Sequence, residues 1–358
     1  MKVGIVGAGA VARGTAAILQ QAGHDPMLWS PSGESTRGFA DGTPLVAQGA
    51  LQASFRPRVA RDAAELAGAS DVVMLALPGF GHKAVMDAIA PHLRPGQPVI
   101  ISSHASFGAL YLSKLLAARG VRTTIVAWGT TLVTGTRPSA TSVRVNTVRR
   151  KVDLAAVPQA AGDDALALCT ALFGDRFVLR DGLLAIAVSN LNPQNHLGIG
   201  LLNLTRMEHG ETWRQAANVT PAVGRLIEAL DLERLAIAGA LGVQVRTVGE
   251  HFALSFHVPQ GGVSEMNQAM HRNGIGGFGP TTADSRYVTE DVPFGLVATA
   301  QLGRLAGVPA PLHEAGIALL SAAYGVDFAV RNDLLPALDF ASLSLPGLRV
   351  LARDGAGG

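Results

Sequence analysis

Lys2-Val3-Gly4-Ile5-Val6-Gly7-Ala8-Gly9-Ala10-Val11-Ala12 decides how the first half of this chain folds. Lys2 to Val6 is short, apolar and rich in β-branched residues, which reads as a buried strand, and a helical pattern runs on to Ala22. Between them stands Gly-x-Gly-x-x-Ala, in the strand–turn–helix context that a dinucleotide phosphate loop requires. Gly7 permits the tight turn, and Gly9 lets the backbone approach a pyrophosphate. From Ala10 the helix N-terminus offers unpaired N–H groups to the anion, and Ala12 keeps that helix close to the sheet.

A second strand, Pro26 to Trp29, follows. The fingerprint expects a carboxylate about twenty positions on, to hold the ribose 2′-hydroxyl. Trp29-Ser30-Pro31-Ser32 and then Arg37 stand there instead. A carboxylate would repel a 2′-phosphate, whereas the hydroxyls of Ser30 and Ser32 and the Arg37 guanidinium suit one. NADP(H) is therefore expected in preference to NAD(H).

Strand–helix alternation continues through Asp71–Leu77, Val99–Ser102 and Thr123–Trp128, the near-continuous apolar runs that a parallel sheet buries. The loops after two of these strands, Pro78-Gly79-Phe80-Gly81-His82 and Ser103-His104, should border the cofactor, because ligands bind at strand C-termini in such sheets. Residues 130–157 alternate Thr, Ser, Val and Arg and predict extra strands or a hairpin. Beyond Ala165 the pattern is helical, with segments predicted at 164–173, 183–207 (broken near Pro193), 221–241, 245–256, 263–271, 294–306 and 312–324. The expected organisation is an α/β Rossmann-type doubly wound parallel sheet over 1–165, a mostly α-helical domain over 182–345, and a frayed tail over 346–358.

Composition limits the function classes. The chain has 358 residues, 48% of them apolar and 16% charged, enough for two cores or an oligomer interface. A formal charge of +2 without a basic block argues against nucleic acid as a partner. Cys169 is the single cysteine, which excludes an internal disulfide and any cysteine metal cluster, and no histidine spacing suggests a metal ligand set. The chain enters a strand at once and carries no apolar run of membrane-spanning length, so no signal peptide, no membrane partner and a cytoplasmic setting are expected.

The chemistry should lie in the second half, at Ser189-Asn190-Leu191-Asn192-Pro193-Gln194-Asn195-His196. The chain's lysines are Lys2, Lys83, Lys114 and Lys151, so the helical domain has none. Dehydrogenases of this architecture that rely on a helical-domain lysine, ketopantoate reductase among them, are poorly supported, and a histidine should carry the proton instead. Asn192-Pro193-Gln194-Asn195-His196, Ile227–Ala238 and Arg286-Tyr287-Val288-Thr289-Glu290-Asp291-Val292-Pro293-Phe294-Gly295-Leu296 together resemble the octopine/nopaline (opine) dehydrogenase family over nearly the whole chain.

The resemblance implies that His196 is catalytic, that Asp291 is its partner, and that Arg286 holds a substrate carboxylate. It also implies small-molecule substrates, a 2-oxo acid and an amine or amino acid, and a homodimer. Relatives often place a proline directly after the histidine, where this chain has Leu197. The residues themselves agree with the family roles. A histidine titrates near working pH and suits proton transfer, an apposed carboxylate fixes its tautomer, and a guanidinium binds a carboxylate bidentately. Asn192 is expected to cap the helix, and Asn195 and Gln194 are each either a polar pocket residue or a helix-capping one. A carbonyl or cyclic-imine reductase with one substrate, or a non-catalytic nucleotide sensor, would use the same scaffold.

Overall fold

The computed structural model describes residues 1–357. The chain forms two compact units, one of residues 1–187 together with the segment from Pro346 on, the other of residues 188–345.

The first unit is built on an eight-stranded sheet in the order β12-β11-β8-β7-β6-β1-β2-β5. Its strands are β1 Lys2–Val6, β2 Asp25–Trp29, β5 Arg58–Val59, β6 Val72–Leu75, β7 Val99–Ile101, β8 Ile125–Trp128, β11 Val152–Val157 and β12 Phe177–Leu179. All neighbours pair in parallel except β11 with β8. Chain order reverses between β1 and β6, so the crevice of this doubly wound sheet opens at their C-terminal ends. The central strands β1, β6, β7 and β8 are buried almost throughout, as their apolar sequence requires. The helix α1, Ala10–Gln21, follows β1.

The predicted extra strands are present. β9 Val133–Thr136 and β10 Ser142–Val148 pair antiparallel with a bulge at 145–147. They belong to a second sheet, β4-β3-β10-β9, with β3 Leu45–Gly49 and β4 Ala53–Phe55. The sequence reading left 45–55 unassigned, because the hairpin is short and only Leu45 and Ala47 are deeply buried. Gly14 of α1 lies against Val133 and Val145, where a Cβ would stand 3.0 Å from Val133.

The expected domain limits need two corrections. The first unit runs past residue 165 to 187, because the helix Gly162–Phe173 and β12 complete its core: Phe173 and Phe177 pack on the buried Trp128 with ring centroids at 5.4 and 4.9 Å. The segment 346–357 is not frayed. Leu345–Asp354 is a helix with Leu348 and Ala352 buried, and the Ala356 N–H donates to Ser113 Oγ at 2.8 Å. Residue 358 lies outside the described residues.

The second unit is helical. Its centre is α2, Asn192–Leu202, against α3, Pro221–Leu241, and α4, Pro311–Tyr324. Small residues on these helices let them approach closely: a Cβ on Gly198 would come within 2.6 Å of Ile227, and one on Gly316 within 2.4 Å of Leu197. Leu197 is thus a buried packing residue of α2.

Candidate active site

Polar side chains gather at the start of α2. The Asn192 N–H donates to Asn190 Oδ1 at 3.1 Å, but Asn192 is the first helical residue and Leu191 stands at the cap position, so Asn192 is not the cap and His196 falls in the second turn. Pro193 is buried against Gly295, where a Cβ would stand 2.3 Å from the proline ring. Gly295 belongs to a π-helical turn, Val292–Leu296, a feature often found at functional sites. Buried Asn332 donates its side-chain amide to the Pro293 carbonyl at 2.8 Å and holds the turn in place.

Asp291 immediately precedes that turn. Its side chain makes no helix cap. It accepts instead from His196 Nδ1 at 2.6 Å, with both side chains slightly open, at 17% and 18% exposure. A carboxylate can only accept, so the proton of this bond sits on Nδ1, and Nε2 is the ring nitrogen outside the pair. Histidine and aspartate, 95 residues apart in sequence, are therefore brought together.

Asn195 precedes His196 on α2, and Arg286 lies five residues before Asp291 on a separate short helix. Arg286 opens the short helix Arg286–Thr289, is 68% exposed, and has Glu290 as a loose ionic neighbour at 3.6 Å. Asn195 Oδ1 is buried and has no hydrogen-bond partner. Tyr287 went unremarked in the sequence. Its ring stacks on the His196 imidazole at 3.6 Å, tilted by 9°, and its hydroxyl donates to Gln215 Oε1 at 2.5 Å. Burial and then the Asp291 charge push its phenol up to about 12, so it stays protonated. The signal for it was the spacing: Tyr287 precedes Asp291 by four residues, about one helical turn.

In the first unit the phosphate loop fits a dinucleotide. Gly7 has φ +114°, and a Cβ there would strike the Ala76 carbonyl oxygen at 2.5 Å, so only glycine fits this turn at the crevice. At Gly9 a Cβ would meet nothing within 4 Å, which leaves open space before the N–H groups of α1. Ala10 begins α1, and Ala12 is fully buried against the sheet. Ser30, Ser32 and Arg37 lie on the loop after β2, where Arg37 pairs with Glu34. Buried Arg13 of α1 donates to the Ser35 carbonyl at 2.9 Å, and Arg137 reaches Ser35 Oγ at 3.4 Å, so three guanidinium groups border this loop. Pro78 begins the turn after β6. Ser103, at φ +69°, opens a strained loop in which Ser106 and Phe107 are also left-handed.

The loop histidines are interior groups. His82 and His104 are buried, and burial drives their imidazoles down to about 4 and about 3, so both stay uncharged at neutral pH. His82 Nε2 is satisfied by the Leu77 carbonyl at 3.1 Å. Among the described residues no cluster of acidic, histidine or cysteine side chains is arranged to hold a metal.

Residues 179–324 match the family described as NAD/NADP octopine/nopaline dehydrogenase, alpha-helical domain. Residues 3–158 match ketopantoate reductase PanE/ApbA, a likeness confined to the unit without the histidine pair. The opine dehydrogenase of Arthrobacter sp. (strain 1C) is 29% identical over 350 residues, spanning 96% of this chain and 97% of that protein. The chain is thus similar to opine dehydrogenases, and that relative spans nearly its whole length. Among solved structures, octopine dehydrogenase with NADH and L-arginine has a TM-score of 0.80 at 17% identity, covering 99% of this chain and 98% of that one. Yersinopine dehydrogenase with NADP+ has a TM-score of 0.72 at 16% identity, covering 96% and 99%. At such identities these two establish a common fold.

Proposed function

We propose that the protein reductively condenses a 2-oxo acid with an amine or amino acid, forming a secondary amine at the expense of NAD(P)H. The observation that carries this reading is the His196–Asp291 pair, partly open and set among polar side chains in a unit that has no lysine. Condensation needs a group that takes a proton from the incoming ammonium and returns one to the departing hydroxyl as water. His196 Nε2 does both, while Asp291 holds Nδ1–H and keeps the ring in one tautomer. Arg286 exchanges its loose Glu290 contact for the oxo-acid carboxylate, and Asn195 Oδ1 accepts from a substrate N–H. NAD(P)H, when bound at the Gly7–Ala12 loop, with Pro78 and Ser103 bordering it, supplies the hydride for the imine carbon.

Ser30, Ser32 and Arg37, joined by Arg137, support NADP(H) over NAD(H). Arg37→Ala should raise KM for NADPH about tenfold, the worth of one charge-assisted hydrogen bond, and leave KM for NADH unchanged. A cytoplasmic homodimer acting on small molecules belongs to the same proposal. The deciding assay is NADPH oxidation that requires an oxo acid and an amine together. Oxidation with an oxo acid or cyclic imine alone selects a single-substrate reductase.

A further inference from the structure

We propose that Tyr287 is a positioning residue of the reaction, which fixes the plane of the His196 imidazole so that Nε2 points one way. The inference rests on the reading of His196 as the proton carrier. The Asp291 hydrogen bond restrains His196 at one point only, Nδ1. A ring held at a single atom still swings about that contact, and Nε2, on the far side of the imidazole, sweeps the widest arc. A second restraint must act on the ring face. Tyr287 supplies it, with its centroid 3.6 Å from the imidazole centroid and the planes 9° from parallel.

The tyrosine is itself anchored at both ends. At its backbone, Ser285 Oγ accepts the Tyr287 N–H at 3.3 Å and starts the short helix. At its tip, the hydroxyl donates to Gln215, whose own N–H is held by the Gly277 carbonyl at 3.1 Å. Asp291, His196, Tyr287 and Gln215 thus form a continuous line, with the imidazole clamped at its edge and on its face. Val288, the next residue, is fully buried, so the short helix is fixed to the core. A tyrosine that merely filled space would not need a near-parallel ring on the one histidine whose second nitrogen faces a reacting group.

The test compares Tyr287→Leu, which keeps apolar volume and loses the stack, with Tyr287→Phe, which keeps the ring and loses the hydroxyl. In protein labelled at histidine, the stacked ring should displace the His196 carbon-bound protons upfield, with the resonances assigned through His196→Gln. Tyr287→Leu should lose that displacement and lower kcat about a hundredfold, as a misplacement of roughly 1 Å does. Its KM values should stay within about twofold, and its Tm should stay near that of the wild type. Tyr287→Phe should keep the displacement and lose no more than about fivefold in kcat, the worth of one neutral hydrogen bond. The proposal is overturned if His196 resonates alike in wild type and Tyr287→Leu, if kcat of the leucine variant stays within about fivefold of wild type, or if the phenylalanine variant is as impaired as the leucine one. Should the wild type fail to couple an oxo acid to an amine, the proposed function falls, and the resonance comparison still decides whether the stack holds the ring.

Discussion

Two histidine–carboxylate pairs stand in the second unit, and they are nearly the same object. His196 Nδ1 lies 2.6 Å from Asp291, and His313 Nδ1 lies 2.7 Å from Glu233. The pairs differ in what surrounds them. His313 is fully buried, its Nε2 receives the Gln194 side-chain amide at 3.1 Å, and Glu233 also accepts the backbone N–H groups of Leu312 and His313. Every polar group of that imidazole is satisfied inside the protein, so the pair ties α2, α3 and α4 together. Among the described residues, none bonds to the second nitrogen of His196. Geometry makes a pair, and an unsatisfied, accessible atom makes a site.

Four measurements put that contrast at risk. The largest effect should come from the open pair: His196→Ala should lower kcat about 10²- to 10⁴-fold with Tm unchanged. Asp291→Asn should cost nearly as much, and the double variant little more than either single one, since the two act as a unit. Second, His313→Ala should act on stability, by about 2–3 kcal/mol in urea melts, because it strands the Gln194 amide and the Glu233 carboxylate. Activity per folded molecule should survive that change, and a loss like that of His196→Ala would erase the distinction.

Third, Gly295→Ala drives a Cβ into the Pro193 ring and should destabilise by about 1–3 kcal/mol. It should also lower kcat in the fraction that folds, because the same contact sets His196 against Asp291. The smallest effect concerns pH. Burial raises the Glu233 carboxyl, but its bonds from His313 and from two backbone N–H groups outweigh that, so its pKa ends below the usual 4.5. A lowered folded-state pKa contributes stability above the unfolded value and loses it as pH falls through the folded one. Below about pH 4.5, acid unfolding of the wild type should therefore be steeper than that of Glu233→Gln; identical acid limbs would mean that the inner pair is not held as described.

The resemblance found in the Arg286–Leu296 segment was legible because its functional groups are of scarce kinds in close spacing. The inner pair was not. Glu233 lay inside a quoted motif and His313 was passed over, since nothing in either neighbourhood marks which histidine will be sealed. The neighbouring Asp231–Arg234 pair was equally silent. It is a buried ion pair in which Asp231 Oδ1 accepts from Arg234 Nε at 2.8 Å and Asp231 Oδ2 from the Val248 N–H at 2.8 Å. Burial is a property of what packs on a residue from elsewhere in the chain. Local pattern misled at two other places for the same reason: Asn192 became the first helical residue rather than the cap, and the polar-looking end of the chain closed into a helix on the first unit.

The Gly7–Gly9–Ala12 loop returns as the clearest case of what local chemistry settles. A turn that needs φ +114°, a strand before it and a helix after it are all written within about a dozen residues, since backbone sterics and helix ends act over that range. The sequence by itself therefore determined the dinucleotide unit, the helical character of the second half and the absence of a lysine from it. Only the tertiary structure decided that His196 meets Asp291, that Tyr287 lies on its face, and that His313 is closed to solvent. Those outcomes depend on side chains 80 to 95 residues apart in sequence, whose meeting is set by packing such as Gly295 on Pro193.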